Sequence, residues 1–151
     1  MSTPHETLQG KQLTETEIDQ FLESQGFGVL SLAAEGVPYA LPMSFGYDGS
    51  DRLYFVFVGY SEEWKKVTYA DSTTVASFLT FDVESAETWQ SVIAAGPFER
   101  IDYEEWDAAR EAMADNAFRP DLLVGDVDIQ ENPQVWVLDA EEKSGRAIGT
   151  E

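Results

Sequence analysis

The chain has no cysteine, one histidine and nine basic residues among 151. Each shortage closes a class of function. Without cysteine there are no disulfides and no thiolate metal sites. The single histidine, His5, lies in a polar, unpatterned stretch where a solvated side chain is the plain reading. Cys-His and Ser-His-Asp machinery and His-based metal clusters therefore have no credible residues to use. Nine basic residues face 29 acidic ones, for a net charge of −20. A nucleic-acid partner is disfavoured, because neutralising phosphates needs clustered Lys and Arg. No apolar run approaches the roughly 20 residues that span a bilayer. The first ten residues have neither a basic nor an apolar region, so no signal peptide is expected. There is no glycine fingerprint and no βαβ alternation, which disfavours a doubly wound nucleotide fold.

What remains is a well-patterned chain. Its hydrophobic share of 43% is too high for disorder. Its length suits one domain with a real core. That domain is expected over residues 13–140, between a flexible N-terminal arm (1–12) and a C-terminal tail (141–151). The acidic residues are scattered among the hydrophobic segments rather than gathered in a tail. This combination suits a folded cytoplasmic protein of a salt-loving organism, where salt screens self-repulsion within a few ångströms.

Thr14 and Glu17 have capping-box spacing, with Leu13 and Ile18 as a hydrophobic staple. They predict a helix over residues 15–25 that ends at Gly26. Phe27–Ala33 reads as a strand, Glu35-Gly36 as a turn and Val37–Tyr47 as the next strand. Proline cannot donate to a ladder, so Pro38 and Pro42 mark either a lapse in pairing near Met43-Ser44 or a plain edge strand. Asp48-Gly49 is a hairpin signal. Leu53–Val58 is continuously apolar, which predicts burial of both faces. Ser61 can cap a helix over 62–71. Thr73–Phe81 is a further strand, Asp82–Glu87 an acidic loop and Thr88–Arg100 a long strand with a bulge or corner at Gly96-Pro97. Asp102 can cap a helix that ends near Asn116, with Trp106, Ala109, Arg110 and Met113 on one face. Arg119–Asn132 reads as a polar connection, and Gln134–Leu138 as the last strand. Six strands with short turns predict a mainly β, α+β fold: a small antiparallel barrel with peripheral helices.

The stretch from Val37 to Lys66 concentrates the candidate chemistry. Lys65 and Lys66 follow the opening turn of the 62–71 helix, where helix N–H groups and ammonium charges favour a phosphate. Two adjacent lysines are conspicuous in so acidic a chain. The aromatics Phe45, Tyr47, Tyr54, Phe55, Phe57 and Tyr60 crowd one hairpin, and most are expected to fill the barrel. Ser44, beside Pro42, can offer a hydroxyl and backbone groups to ring heteroatoms. A phosphorylated, flat aromatic cofactor fits this set, and it would bring its own chemistry.

An ordered set of segments then resembles one family. They are Gly28-Val-Leu-Ser-Leu, Gly36-Val-Pro-Tyr-Ala-Leu-Pro-Met-Ser-Phe, Tyr47-Asp-Gly, Leu53-Tyr-Phe, Lys66, Val75-Ala-Ser-Phe and Trp89-Gln-Ser-Val. Together they are similar to the pyridoxamine 5′-phosphate oxidase-like, FMN-binding split-barrel proteins, and most so to the nitroimidazole-resistance-type flavoproteins. The resemblance covers residues 13–101, with Val135–Leu138 as the closing strand. It implies a six-stranded antiparallel split β-barrel and a homodimer with FMN at the interface. It further implies that Pro42, Met43, Ser44 and Phe45 lie along the flavin ring. Lys66, with Lys65, would bind the phosphate, and Trp89 and Ser91 would contact the cofactor across the dimer.

The sequence also departs from the family. The Arg or His common near the phosphate-binding segment is replaced by Tyr60-Ser-Glu-Glu-Trp-Lys-Lys. The substrate-phosphate residues of a true pyridoxamine-phosphate oxidase are not seen, so that activity is not expected. Related barrels hold the deazaflavin coenzyme (F420) or haem. Haem needs an axial ligand, for which His5 is a poor candidate. The expectation is an FMN-dependent oxidoreductase on a small molecule, with a flavin or deazaflavin carrier as the alternative.

Overall fold

A computed structural model of the chain describes residues 10–57, 64–116 and 133–149; the side chains of residues 64–66 and 115–116 lie outside that description. The helix expected first is α1, Glu15–Ser24. Its capping box is complete. The Thr14 hydroxyl accepts from the Glu17 amide at 3.2 Å, and the Glu17 carboxylate accepts from the Thr14 amide at 2.9 Å. Leu13 and Ile18 are both buried, as a staple requires. The C-terminus differs from expectation. Gln25 is the extended cap residue, and no left-handed glycine follows it. The Gln25 amide side chain instead reaches the Thr80 hydroxyl and the Phe81 carbonyl, which fixes the exit from the helix.

Among the described residues nine strands follow one another: β1 (Lys11–Gln12), β2 (Phe27–Ala34), β3 (Val37–Ser44), β4 (Gly46–Tyr47), β5 (Arg52–Phe57), β6 (Val75–Ser85), β7 (Thr88–Ile101), β8 (Gln134–Asp139) and β9 (Glu142–Ile148). All pairings are antiparallel, in the order β3-β2-β6-β7-β8-β5-β4. β4 continues β3 after one residue, Phe45, so the path returns to its start and closes a barrel. Counted that way, the barrel has the six expected staves, and the fold is an α+β split barrel. Among the described residues two α-helices besides α1 flank it, α2 (Trp64–Ser72) and α3 (Trp106–Asn116).

Several expectations are corrected. The supposed C-terminal tail forms β9, which pairs with β7 and with β1, so the last two residues of the expected arm are also strand. Asp82–Glu87 is no loop. β6 runs to Ser85 and pairs with β7 as far as Thr88, with an irregularity between Val83 and Ser85. Asp48-Gly49 does not make a two-residue turn. The Asp48 carboxylate accepts from the amides of Ser50, Asp51 and Arg52, which holds a four-residue loop. A short 3-10 turn at Tyr103–Glu105 precedes α3, and the Asp102 side chain makes no capping bond. The expected Ser61 cap and the connection over 119–132 lie outside the described residues.

The apolar strand β5 is buried on both faces, as expected: Leu53 through Phe57 are each at most 5% exposed. It divides two cores. Leu53, Phe55 and Phe57 point into the barrel with Phe45, Phe78 and Phe98. Tyr54 and Val56 point the other way, under Ala109, Ala112 and Met113 of α3. Each such side chain contributes roughly 1.5–3 kcal/mol of burial. Gly96 is the barrel corner. There β7 leaves its pairing with β9 and takes up β8. The backbone of β8 passes so close that a Cβ at Gly96 would stand 1.7 Å from the Asp139 carbonyl oxygen.

Candidate outward-face cofactor site

Register decides which residues share a face, because directly paired residues project to the same side of a sheet. Pro42 pairs with Val29, Val29 with Leu79, and Leu79 with Ile93. This row points away from the filled interior. The next row holds Ser44 opposite Phe27, and Phe81 opposite Ser91. Trp89 follows two residues before Ser91, opposite Val83. The face is strongly apolar: Phe27, Phe81, Val83, Val75 and Ile93 are each between 48% and 64% exposed. Among the sequence-expected residues, Pro42, Ser44, Trp89 and Ser91 therefore lie on one outward face.

Met43 and Phe45 do not. The pleat turns both inward: Met43 is 9% exposed, and Phe45 is fully buried against Phe78 at 4.7 Å between ring centroids. Their side chains are core, and only their backbone lies on the segment expected along a ring. Pro42 and Pro38 are accommodated because β3 ends the strand path, so the edge-strand reading of the prolines holds. The pairing of β3 with β2 runs unbroken from Val37 to Ser44.

Three interstrand steps separate β3 from β7, a distance of about 14 Å. Within one chain, the Pro42–Ser44 segment and the Trp89–Ser91 segment are thus neighbours on a face but too far apart to grip one ring from both sides. Lys65 and Lys66 occupy the first described turn of α2, with their side chains outside the description. The other end of α2 is anchored by Thr73. Its hydroxyl donates to the Tyr69 carbonyl at 2.6 Å and accepts from the Ala33 amide at 3.0 Å. Tyr69 also packs on Tyr39 of β3, at 5.0 Å between centroids.

Sequence reading missed Phe27, Phe81 and Arg146 on this face. For the two aromatics a signal was present: Phe27 and Val29 in β2, and Leu79, Phe81 and Val83 in β6, put apolar side chains on the outward side of strands whose inward side already holds Leu30, Leu32 and Phe78, the mark of strands covered on both faces. A concavity of about 330 Å³ lies between α3 and the β4–β5 loop, lined by Asp48, Arg52, Tyr54, Ala108, Glu111 and Ala112. It contains none of the expected site residues. On the flank of the barrel, the Tyr47 phenol is held well above its usual range, first by burial and then by its hydrogen bond to Asp19.

Solved structures agree with this architecture. An FAD-binding protein from Mesorhizobium loti superposes with a TM-score of 0.70 at 19% identity, covering 92% of this chain and 98% of that one. A Bacteroides thetaiotaomicron protein named for 5-nitroimidazole antibiotic resistance gives 0.68 at 20% identity, covering 91% and 87%. An FAD binding protein from Mycobacterium smegmatis gives 0.68 at 18% identity, covering 93% and 100%. At such identities the likeness establishes the fold. No curated protein matches the chain by sequence. No helix among the described residues is long and apolar enough to cross a membrane. The family model described as pyridoxamine 5′-phosphate oxidase matches residues 14–147, nearly the whole barrel and its last strand, and the chain belongs to that family.

Proposed function

We propose that the protein is a cytoplasmic flavin-dependent oxidoreductase acting on a small molecule, and that it works as a homodimer with FMN between subunits. The observation that carries this reading is the shared outward face of Pro42, Ser44, Trp89 and Ser91. An apolar face of this extent on a free monomer is unusual and suits coverage by a second copy. A two-fold arrangement would let β3 of one subunit meet β7 of the other, which the separation of about 14 Å within one chain calls for.

The residues suit a flavin. Apolar side chains can flank a flat ring, and the hydroxyls of Ser44 and Ser91 stand where a ring's polar edge can meet them. Lys66, with Lys65, would hold the phosphate at the start of α2. Bound FMN would supply the electron transfer, while the protein supplies position and electrostatics. Two of the similar proteins are named as FAD-binding, which supports a flavin here. The strongly acidic composition supports a salt-rich cytoplasm.

The test is direct. Protein purified in concentrated salt should be yellow, with FMN identified by mass spectrometry, and should elute as a dimer. A colourless protein that binds neither FMN nor deazaflavin at high salt would overturn the reading. Deazaflavin alone would replace the cofactor and leave the site.

A further inference from the structure

We propose that Arg146 recognises an anionic group, a carboxylate or phosphate ester, on the substrate of this flavin site; the inference rests on the function proposed above. Arg146 lies on β9 directly opposite Ser91, and so on the same outward face. It is the one described cation on that face. Lys143 points to the other side, where it pairs with Asp19.

The surroundings of Arg146 are unusual for this chain. Its sheet neighbours are Ser91, Trp89, Ile93, Gln12, Ser144 and Ile148, and none is acidic. With 29 acidic residues available, this guanidinium is exposed and makes no ion pair or hydrogen bond among the described residues. Covering this face with a second copy removes water from it, and a charge buried without compensation is costly. A bidentate anion on a bound ligand supplies the compensation, and a guanidinium is the side chain best shaped for it. Ser91 beside it adds a hydroxyl donor to the same anion.

The probes are benzoate and its neutral isostere benzamide, titrated into FMN-loaded protein in one high-salt buffer and followed by the change in flavin absorbance. Wild type should bind benzoate on the order of tenfold more tightly than benzamide. R146Q should lose that preference, and R146K should keep part of it. Equal binding of the two probes by wild type, or a preference that survives in R146Q, overturns the proposal. So does a dimer weakened in R146Q with the probe ratio unchanged, which would mean that Arg146 pairs with a carboxylate of the second copy. FMN and riboflavin are titrated into R146Q as well. A loss of affinity for FMN but not for riboflavin would assign the guanidinium to the cofactor phosphate and overturn the substrate role. If wild type binds no FMN, the proposed function fails first and this inference falls with it.

Discussion

The Lys143 ammonium sits 2.8 Å from the Asp19 carboxylate and so joins β9 to α1 across 124 residues of sequence. It also lies 3.0 Å from the Tyr47 hydroxyl and donates to the Ser50 carbonyl of the β4–β5 loop. Both charged groups are largely shielded, with side chains 11% and 25% exposed. Removing one partner leaves the other charge poorly compensated. K143M should therefore cost about 2 kcal/mol, less than a fully buried pair would. Adding D19N should recover part of that cost. Denaturant titration at constant high salt measures both.

Tyr47 gives this cluster a pH signature. Burial and the bond to Asp19 raise the phenol above its ordinary value of 10.0. Below about pH 10 the phenol keeps its proton in both states, and its contribution to stability is fully present. Above that, the unfolded phenol ionises while the folded one holds its proton. Stability then falls as pH rises. Y47F should lose the hydroxyl's bonds at neutral pH yet show a flatter decline above pH 10. Thermal unfolding of both proteins across pH 8–11 tests this; identical slopes would remove Tyr47 from the explanation.

Gly96 and Gly36 separate two reasons for glycine. A Cβ at Gly96 would overlap the Asp139 carbonyl, which belongs to the backbone of β8 and cannot swing aside. G96A should cost at least about 3 kcal/mol or prevent folding. Gly36 has open space but a φ of 79°, in the tight turn after Glu35, so G36A should cost about 1 kcal/mol. Comparable losses at the two sites would contradict the corner assignment.

The legible parts of the fold were those where local chemistry and tertiary role agree. Thr14, Glu17, Leu13 and Ile18 announce a helix start by spacing alone, and β5 announces its double burial by five consecutive apolar residues. β9 was hidden because its inward positions are Lys143, Gly145 and Ala147. Gly145 serves the core by having no side chain: Leu13, Val92 and Ile18 fill the space. A strand that contributes room instead of apolar bulk carries no hydrophobic period. Asp82–Ser85 was hidden by its acidity, since outside the barrel a strand has no core to face. At the site, Pro42, Ser44, Trp89 and Ser91 could be proposed from order along the chain. That Met43 and Phe45 turn inward follows from the pleat, and it was readable once β3 was known to alternate against a filled barrel. Arg146 could not be placed beside Ser91 without the register of β9.

Trp89 and Ile93 flank Ser91 on the outward face, with Ile93 48% exposed. If that face is covered by a second copy, I93K puts an unpaired ammonium, beside the Arg146 guanidinium, into an apolar interface and should weaken the dimer by about 3 kcal/mol or more. W89A should weaken dimerisation and flavin retention together. Sedimentation analysis alongside flavin content separates these effects. A stable flavin-loaded dimer in both variants would move the interface elsewhere.

Lys66 is the last element the proposed site depends on. It sits in the first described turn of α2, and the helix's other end is held by the Thr73 bonds to Tyr69 and Ala33, independent of the lysine. K66E should therefore leave the fold and the dimer intact while exchanging attraction for repulsion at the phosphate. FMN affinity should drop by at least about tenfold. Riboflavin, which has the ring without the phosphate, should bind the variant and the wild type alike. That contrast isolates the phosphate. If FMN and riboflavin weaken equally, Lys66 supports the ring or the fold, and the phosphate is held by other groups.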